Sequence, residues 1–155
     1  MARLTPGQPA PDFALPSDEG EIVRLSDLRG QRIVLYFYPK DGTSGCTAEA
    51  CEFRDAREDF ARAGARVIGV SPDPVSSHQR FRRTHGLNFT LLSDVDHEVA
   101  EAYGVWVEKS RYGRTYMGIE RSTFVIGPDG TVEQALYGVK AKGHAAAVLE
   151  LVADG

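Results

Sequence analysis

Apolar positions along this chain form two kinds of stretch, and their order predicts alternating strands and helices. Residues 33–38 (IVLYFY) are apolar without a break and are bounded by Gly30 and Pro39. An unbroken short run of this kind predicts a strand buried on both faces, as in a helix-covered parallel sheet. Residues 65–71 predict a second such strand. Between them, from Cys46 or Thr47 to about Ala63, apolar positions recur at helical spacing until Gly64 closes the helix. Asp73 predicts an N-cap with Pro74 at the first helical position, and that helix runs to about His85 before Gly86 stops it. A short strand over 89–92 follows, then a helix over about 96–103 ending at Gly104. Strands over 123–126 and 131–137 flank Pro128-Asp129-Gly130, which has the turn chemistry of a hairpin. A last helix covers about 143–153. The opening, with Pro6, Pro9, Pro11 and Pro16, reads as an extended lead-in with short strands near 13–15 and 22–25.

This order predicts an α/β fold in which helices flank a central mixed sheet, and the thioredoxin-like topology fits it best. No repeat, linker or shift in composition divides the chain, so residues 1–155 are expected to be one domain. The apolar fraction of 42% and charged fraction of 26% are those of a globular protein and argue against disorder. A formal net charge of −4, with no long basic tract, leaves no electrostatic footprint for nucleic acid or a membrane surface. The six-residue run is far too short to span a bilayer, and residues 1–13 contain no apolar segment of a secretory signal. A cytoplasmic location is expected, and two cysteines there do not make a disulfide framework.

The spacing of those cysteines carries the most information. The segment YFYPKDGTSGCTAEACEF reads strand, loop, helix and puts Cys46 at the start of the helix. Unpaired backbone N–H groups and the positive end of the helix dipole meet there, and both favour thiolate over thiol. An unpaired cysteine is most often a small buried hydrophobe. Cys46 instead sits in a loop rich in glycine and hydroxyl groups, the setting of a nucleophile. Cys51 lies five positions on. An ideal helix puts the two Cα atoms roughly 8.5 Å apart. A disulfide needs them within about 7 Å, so the pair bridges only if the first turns unwind. Cys46, Ala50, Phe53 and Phe60 share one helix face, whereas Cys51 groups with Asp55, Glu58 and Arg62. The core has no need of Cys51, which leaves two readings, a resolving thiol or an unrelated cysteine.

Other chemistries fit less well. A thioredoxin-type oxidoreductase has two residues between its cysteines, and this chain has four. His78, His85, His97 and His144 are scattered rather than set at metal spacing and are expected at the surface or at helix ends. Gly45 is followed by Cys46 and Thr47, not by the Lys-Ser/Thr of a phosphate-binding loop. Cys51 and Arg57 have the cysteine–arginine spacing of tyrosine phosphatases, but the residues between them form a charged mid-helix stretch that would repel phosphate. Arg80, Arg82 and Arg83 read as a solvated helix face. Trp106, Tyr112 and Tyr116 read as core or loop packing, and Phe37, Phe53 and Phe60 as core.

The pattern Pro39, Thr43, Cys46 resembles the active-site motif of peroxiredoxins. A second cysteine within GCTAEACEFRD, together with YGVWVEKSRYGRTYMGIERSTFVIGPDG over residues 103–130, resembles the bacterioferritin-comigratory, or Q-type, subgroup. The resemblance runs from about Pro6 to the last helix and departs at Ser44, where many members carry proline. It implies that Cys46 is the peroxidatic nucleophile and Cys51 the resolving thiol. It also implies that Thr43 positions the peroxide, Pro39 shields the sulfur, Arg121 stabilises the thiolate and polarises the peroxide, and Glu49 holds that arginine. The implied activity is a cofactor-free, metal-free, thiol-dependent peroxidase for hydrogen peroxide and organic hydroperoxides. Its Cys46–Cys51 disulfide is then recycled by thioredoxin or a similar dithiol donor. A monomer is the state the subgroup suggests. A redox-sensing binding module, switched by the same disulfide, is the competing reading.

Overall fold

A computed structural model describes residues 3–153. Its centre is a five-stranded mixed sheet built from β3 (Arg32–Phe37), β4 (Ala65–Ser71), β5 (Thr90–Ser93), β8 (Ser122–Ile126) and β9 (Val132–Leu136). The order across the sheet is β5-β4-β3-β8-β9, with β3, β4 and β5 parallel and β8 antiparallel to both of its neighbours. Side chains of β3 alternate between two cores, as the pleat requires. Val34 and Tyr36 face one core with Phe53, Phe60, Phe81 and Val148. Ile33, Leu35 and Phe37 face the other with Phe13, Val99, Tyr103 and Phe124. Thus α1 (Ser44–Asp55), α2 (Arg57–Arg62), α3 (Val75–His85) and α5 (His144–Ala153) contribute to the first core. The second is covered by α4 (Glu98–Ala102) and by β1 (Ala14–Pro16) and β2 (Ile22–Arg24), which form a separate hairpin. Both faces are covered, which is why β3 and β4 have continuous apolar centres, residues 33–37 and 67–70.

The structure departs from the sequence expectations at four places. The helix expected from Cys46 to about Ala63 is two helices, broken at Ala56 (φ −95°, ψ 3°). At the break the Arg54 carbonyl accepts from the Ala56 N–H and from the Asn88 side chain. Asp73 does not cap α3, because its carboxylate accepts from the Ser71 hydroxyl and from the Asp41 N–H. Helix α3 begins at Val75, after an extended Pro74, and ends as expected on Gly86 in the left-handed region (φ 60°). Residues 106–119 form a hairpin, β6 (Trp106–Arg111) with β7 (Arg114–Ile119), where the apolar pattern predicts no element. It turns through Tyr112 and Gly113, both at positive φ, leaving Tyr112 exposed and Tyr116 nearly half exposed. Trp106 stacks on His97 with ring centroids 3.9 Å apart. Finally, His78 and His144 are buried, and Arg82 pairs with the buried Asp18 at 2.6 Å.

Candidate active site

The C-terminal end of β3 opens into a loop that turns directly into α1. Tyr38 continues the pairing by donating its N–H to Val70, then residues 39–43 leave the sheet. Thr43 occupies the N-cap position with extended backbone (φ −74°, ψ 154°), and its carbonyl accepts the Thr47 N–H at 2.8 Å. Its hydroxyl donates to the Lys40 carbonyl at 3.0 Å, which folds the loop back on itself. Cys46 is therefore the third residue of α1, among N–H groups that lack intrahelical acceptors. Its side chain is buried beneath a loop whose Lys40, Gly42, Thr43 and Ser44 are exposed.

Arg121 reaches this sulfur from across the sheet. Because β8 runs antiparallel to β3, Ser122 pairs with Phe37, the last residue of β3. Arg121 thus stands just beyond the strand end, beside the first turn of α1, with its carbonyl held by the Val139 N–H. One guanidinium nitrogen, Nη2, donates to Cys46 Sγ at 3.2 Å, and the other, Nη1, donates to Glu49 Oε1 at 2.5 Å. Glu49 follows Cys46 by three positions, so one helical face presents both to the same guanidinium. An ionised donor aimed at sulfur stabilises negative charge there. Burial opposes the charge on Arg121, yet the Glu49 carboxylate and the Cys46 sulfur raise its pKa.

Glu49 is fully buried, and its Oε2 has no partner among the described residues. Burial pushes its pKa from an ordinary 4.5 up to about 7, with Arg121 offsetting only part of that rise. The folded chain therefore binds this proton more tightly than the unfolded chain does. Linkage gives a loss of stability as pH rises from about 4.5 through about 7, complete above it. Glu49→Gln, which carries no titrating proton, should flatten that slope. Urea unfolding at pH 5 and pH 8 reads the difference; an unchanged slope in Glu49→Gln would assign the titration to another group.

Of the residues expected in the site, Cys46, Arg121 and Glu49 are in direct contact. Thr43 and the half-buried Pro39 lie on the loop above them. Cys51 lies farther along α1, half-buried, and both cysteines are free thiols. Two contributors escaped the sequence reading. A Cβ at Gly45 would lie 3.3 Å from Arg121 Nη2, so glycine there makes room for the guanidinium. Lys109 of β6 is half-buried, and burial together with the charge of Arg121 lowers its pKa. No local signal marks either residue, since both matter only through where Arg121 lies.

The profile of the AhpC/TSA family matches residues 6–135. The chain belongs to that family. It is 52% identical over 148 residues to the peroxiredoxin Bcp of Bacillus subtilis, covering 96% of this chain and 94% of that one. Peroxiredoxin Q of Xylella fastidiosa, solved as a cysteine-to-serine mutant, superposes with a TM-score of 0.92 at 38% identity over 98% of this chain and 97% of that one. The bacterioferritin comigratory protein of Xanthomonas campestris, studied for its alkyl peroxide reduction activity, gives 0.86 at 43% identity over 90% and 89%. The protein is accordingly a thioredoxin-like peroxiredoxin of the Bcp, or Q, type: a thiol-dependent peroxidase that acts on peroxides with a thiol reductant. This membership favours the enzyme over the redox-sensing module. Among the described residues no helix is long and apolar enough to cross a membrane.

Proposed function

We infer that Cys46 is the peroxidatic cysteine and Cys51 its resolving partner. The observation that carries this reading is the Arg121 Nη2 to Cys46 Sγ contact of 3.2 Å at the first turn of α1. The Cys46 thiolate attacks one peroxide oxygen; an S–O bond forms as the O–O bond breaks. The departing alkoxide or hydroxide takes a proton and leaves as alcohol or water. Arg121 supplies fixed positive charge to the sulfur and to the oxygens as charge shifts between them, without reorganisation during the step. Thr43 orients the peroxide, Pro39 shields the sulfur and Glu49 holds Arg121. Cys51 then attacks the sulfenic acid, releasing water and leaving an intramolecular disulfide. Thioredoxin or a similar dithiol reduces that disulfide by exchange. Substrates include hydrogen peroxide and organic hydroperoxides, a class to which the alkyl peroxides reduced by the Xanthomonas relative belong. We read residues 1–155 as one cytoplasmic domain, active as a monomer.

Disulfide formation must melt the start of α1, because roughly 8.5 Å separates Cα atoms five residues apart on an ideal helix. Melting should stop near Glu52 and Phe53. Glu52 accepts the Gly143 N–H at 2.9 Å, and Phe53 stacks on Tyr36 with centroids 4.7 Å apart. Amide exchange should be faster over residues 46–51 in the oxidised protein than in the reduced one, with little change at Phe60. In Cys51→Ser, one equivalent of peroxide should leave a sulfenic acid on Cys46 that a carbon nucleophile traps. Equal protection of the first turn in both redox states would place the resolving thiol on another molecule.

A further inference from the structure

A second buried polar cluster lies beside the Cys46 site, and its centre is the loop residue Asp41. The Tyr38 hydroxyl donates to Asp41 Oδ1 at 2.6 Å, and the Ser77 hydroxyl donates to Oδ2 at 2.8 Å. His78 Nδ1 lies 2.7 Å from the same Oδ2, with the His78 side chain fully buried and that of Asp41 only 5% exposed. The Asp41 N–H donates to Asp73 Oδ2 at 2.8 Å, which also accepts from the Ser71 hydroxyl at 2.6 Å. His78 Nε2 lies 2.9 Å from the Leu92 carbonyl. One loop residue is thus tied to β4, α3 and, through His78, to β5. Burial pushes the Asp41 carboxyl up, but hydrogen bonding and charge from His78, with the Tyr38 and Ser77 hydroxyls, bring it below the usual carboxylate range. His78 thus bridges Asp41 and the Leu92 carbonyl through its two ring nitrogens.

Asp41, Asp73 and His78 have ligand atoms within 4.8 Å of one another, as a metal site would. Both oxygens of Asp41 and both nitrogens of His78, however, are already engaged by protein groups. The cluster is therefore arranged to hold a loop. Among residues 40–44, Asp41 alone is not exposed, and Gly42 beside it adopts φ 81°. Without a tether this glycine-containing segment would sample many conformations, most of which misplace Thr43 and the first turn of α1.

We propose that Asp41 is a positioning residue: clamped by Tyr38, Ser77, His78 and Asp73, it holds the 39–43 loop in the form that presents Cys46 to peroxide and restrains the opening that brings Cys46 to Cys51. The proposal rests on the assignment of those two cysteines made above. It follows that the clamp sets a partition. A sulfenic acid on Cys46 either meets a second peroxide in the closed form and overoxidises, or meets Cys51 in the open form. Loosening the clamp slows the first oxidation and at the same time protects Cys46 from the second.

The test uses the full chain with a dithiol reductant, and reads two quantities. One is the rate constant for oxidation of Cys46 by hydrogen peroxide; the other is the peroxide concentration that overoxidises half of it during turnover. Asp41→Ala should lower the first about tenfold or more, the scale on which small misplacements act, and raise the second by a similar factor. Asp41→Asn keeps the shape, loses the charge, and should fall between Asp41→Ala and the parent. Ser77→Ala removes one bond at the cluster's edge and should move both quantities the same way, by about threefold, a fraction of the network's effect. These milder variants decide the matter where Asp41→Ala does not fold. Val99→Ala, in the opposite core, controls for lost stability and should move neither quantity. Parental values in Asp41→Asn and Ser77→Ala would overturn the proposal, as would equal changes in Val99→Ala. The underlying assignment fails with a different signature: no peroxide-dependent sulfenic acid on Cys46 in Cys51→Ser, which removes both.

Discussion

Cys46→Ser loses turnover with peroxide altogether, to the rate of the buffer and reductant alone. A hydroxyl at neutral pH is not ionised, and a neutral alcohol does not attack an O–O bond at a useful rate. The loss should be on the order of 10⁴-fold or more, the scale seen when a covalent nucleophile is removed. The substitution changes little else. Serine fits the buried space of Cys46, and the Arg121–Glu49 pair does not depend on the sulfur. Circular dichroism and thermal unfolding should match the parent, and a dithiol-coupled peroxide assay reads the loss. A normal rate in Cys46→Ser would move the nucleophile to Cys51, and with it every role built around the first turn of α1.

Arg121→Met produces the second large effect. It removes the donor at 3.2 Å from the sulfur and the partner of Glu49 in one step. Loss of one preorganised donor from a site of developing charge lowers rates by about 10²- to 10³-fold. The second-order rate constant with peroxide should fall on that scale, because the sulfur and the peroxide oxygens lose their fixed donor. The fold survives for a specific reason. Glu49, already pushed up to about 7 by burial, takes a proton when Arg121 is gone instead of staying as an unpaired buried charge. Arg121→Lys should be intermediate, since one ammonium does not reproduce the forked contact with sulfur and carboxylate together. Stopped-flow oxidation measures the effect. An unchanged rate would remove Arg121 from the chemistry.

How much of this was legible along the chain follows from the range of each interaction. The strands over 33–38 and 65–71 were readable because burial on both faces demands a continuous apolar centre, here residues 33–38 and 67–70, and such a run is a local signal. Gly86 was readable because a left-handed helix end favours glycine. Cys46 at a helix start was readable because the boundary between loop and helix is written in adjacent residues. The hairpin over 106–119 was not. Its strands are largely exposed and mix charged with apolar residues, and its turn places Tyr112, a poor turn former, at positive φ.

The residues alone therefore determined the class of fold, the order of its main elements and the place of Cys46 at a helix start. Resemblance of motifs added the expected partners. Only the tertiary structure decided which distant groups meet. Arg121 touches Cys46 from 75 positions away because antiparallel pairing of β8 with β3 puts Ser122 opposite Phe37. His78 is buried because Asp41 and Leu92 each offer it an acceptor, from 37 and 14 positions away. Asp73 has the spacing of a cap and instead holds a loop 32 positions upstream. Periodicity records what a segment buries, since burial selects residue type at each position. It does not record which polar group stands opposite another, since that depends on strand register and on chain crossovers that no local stretch contains.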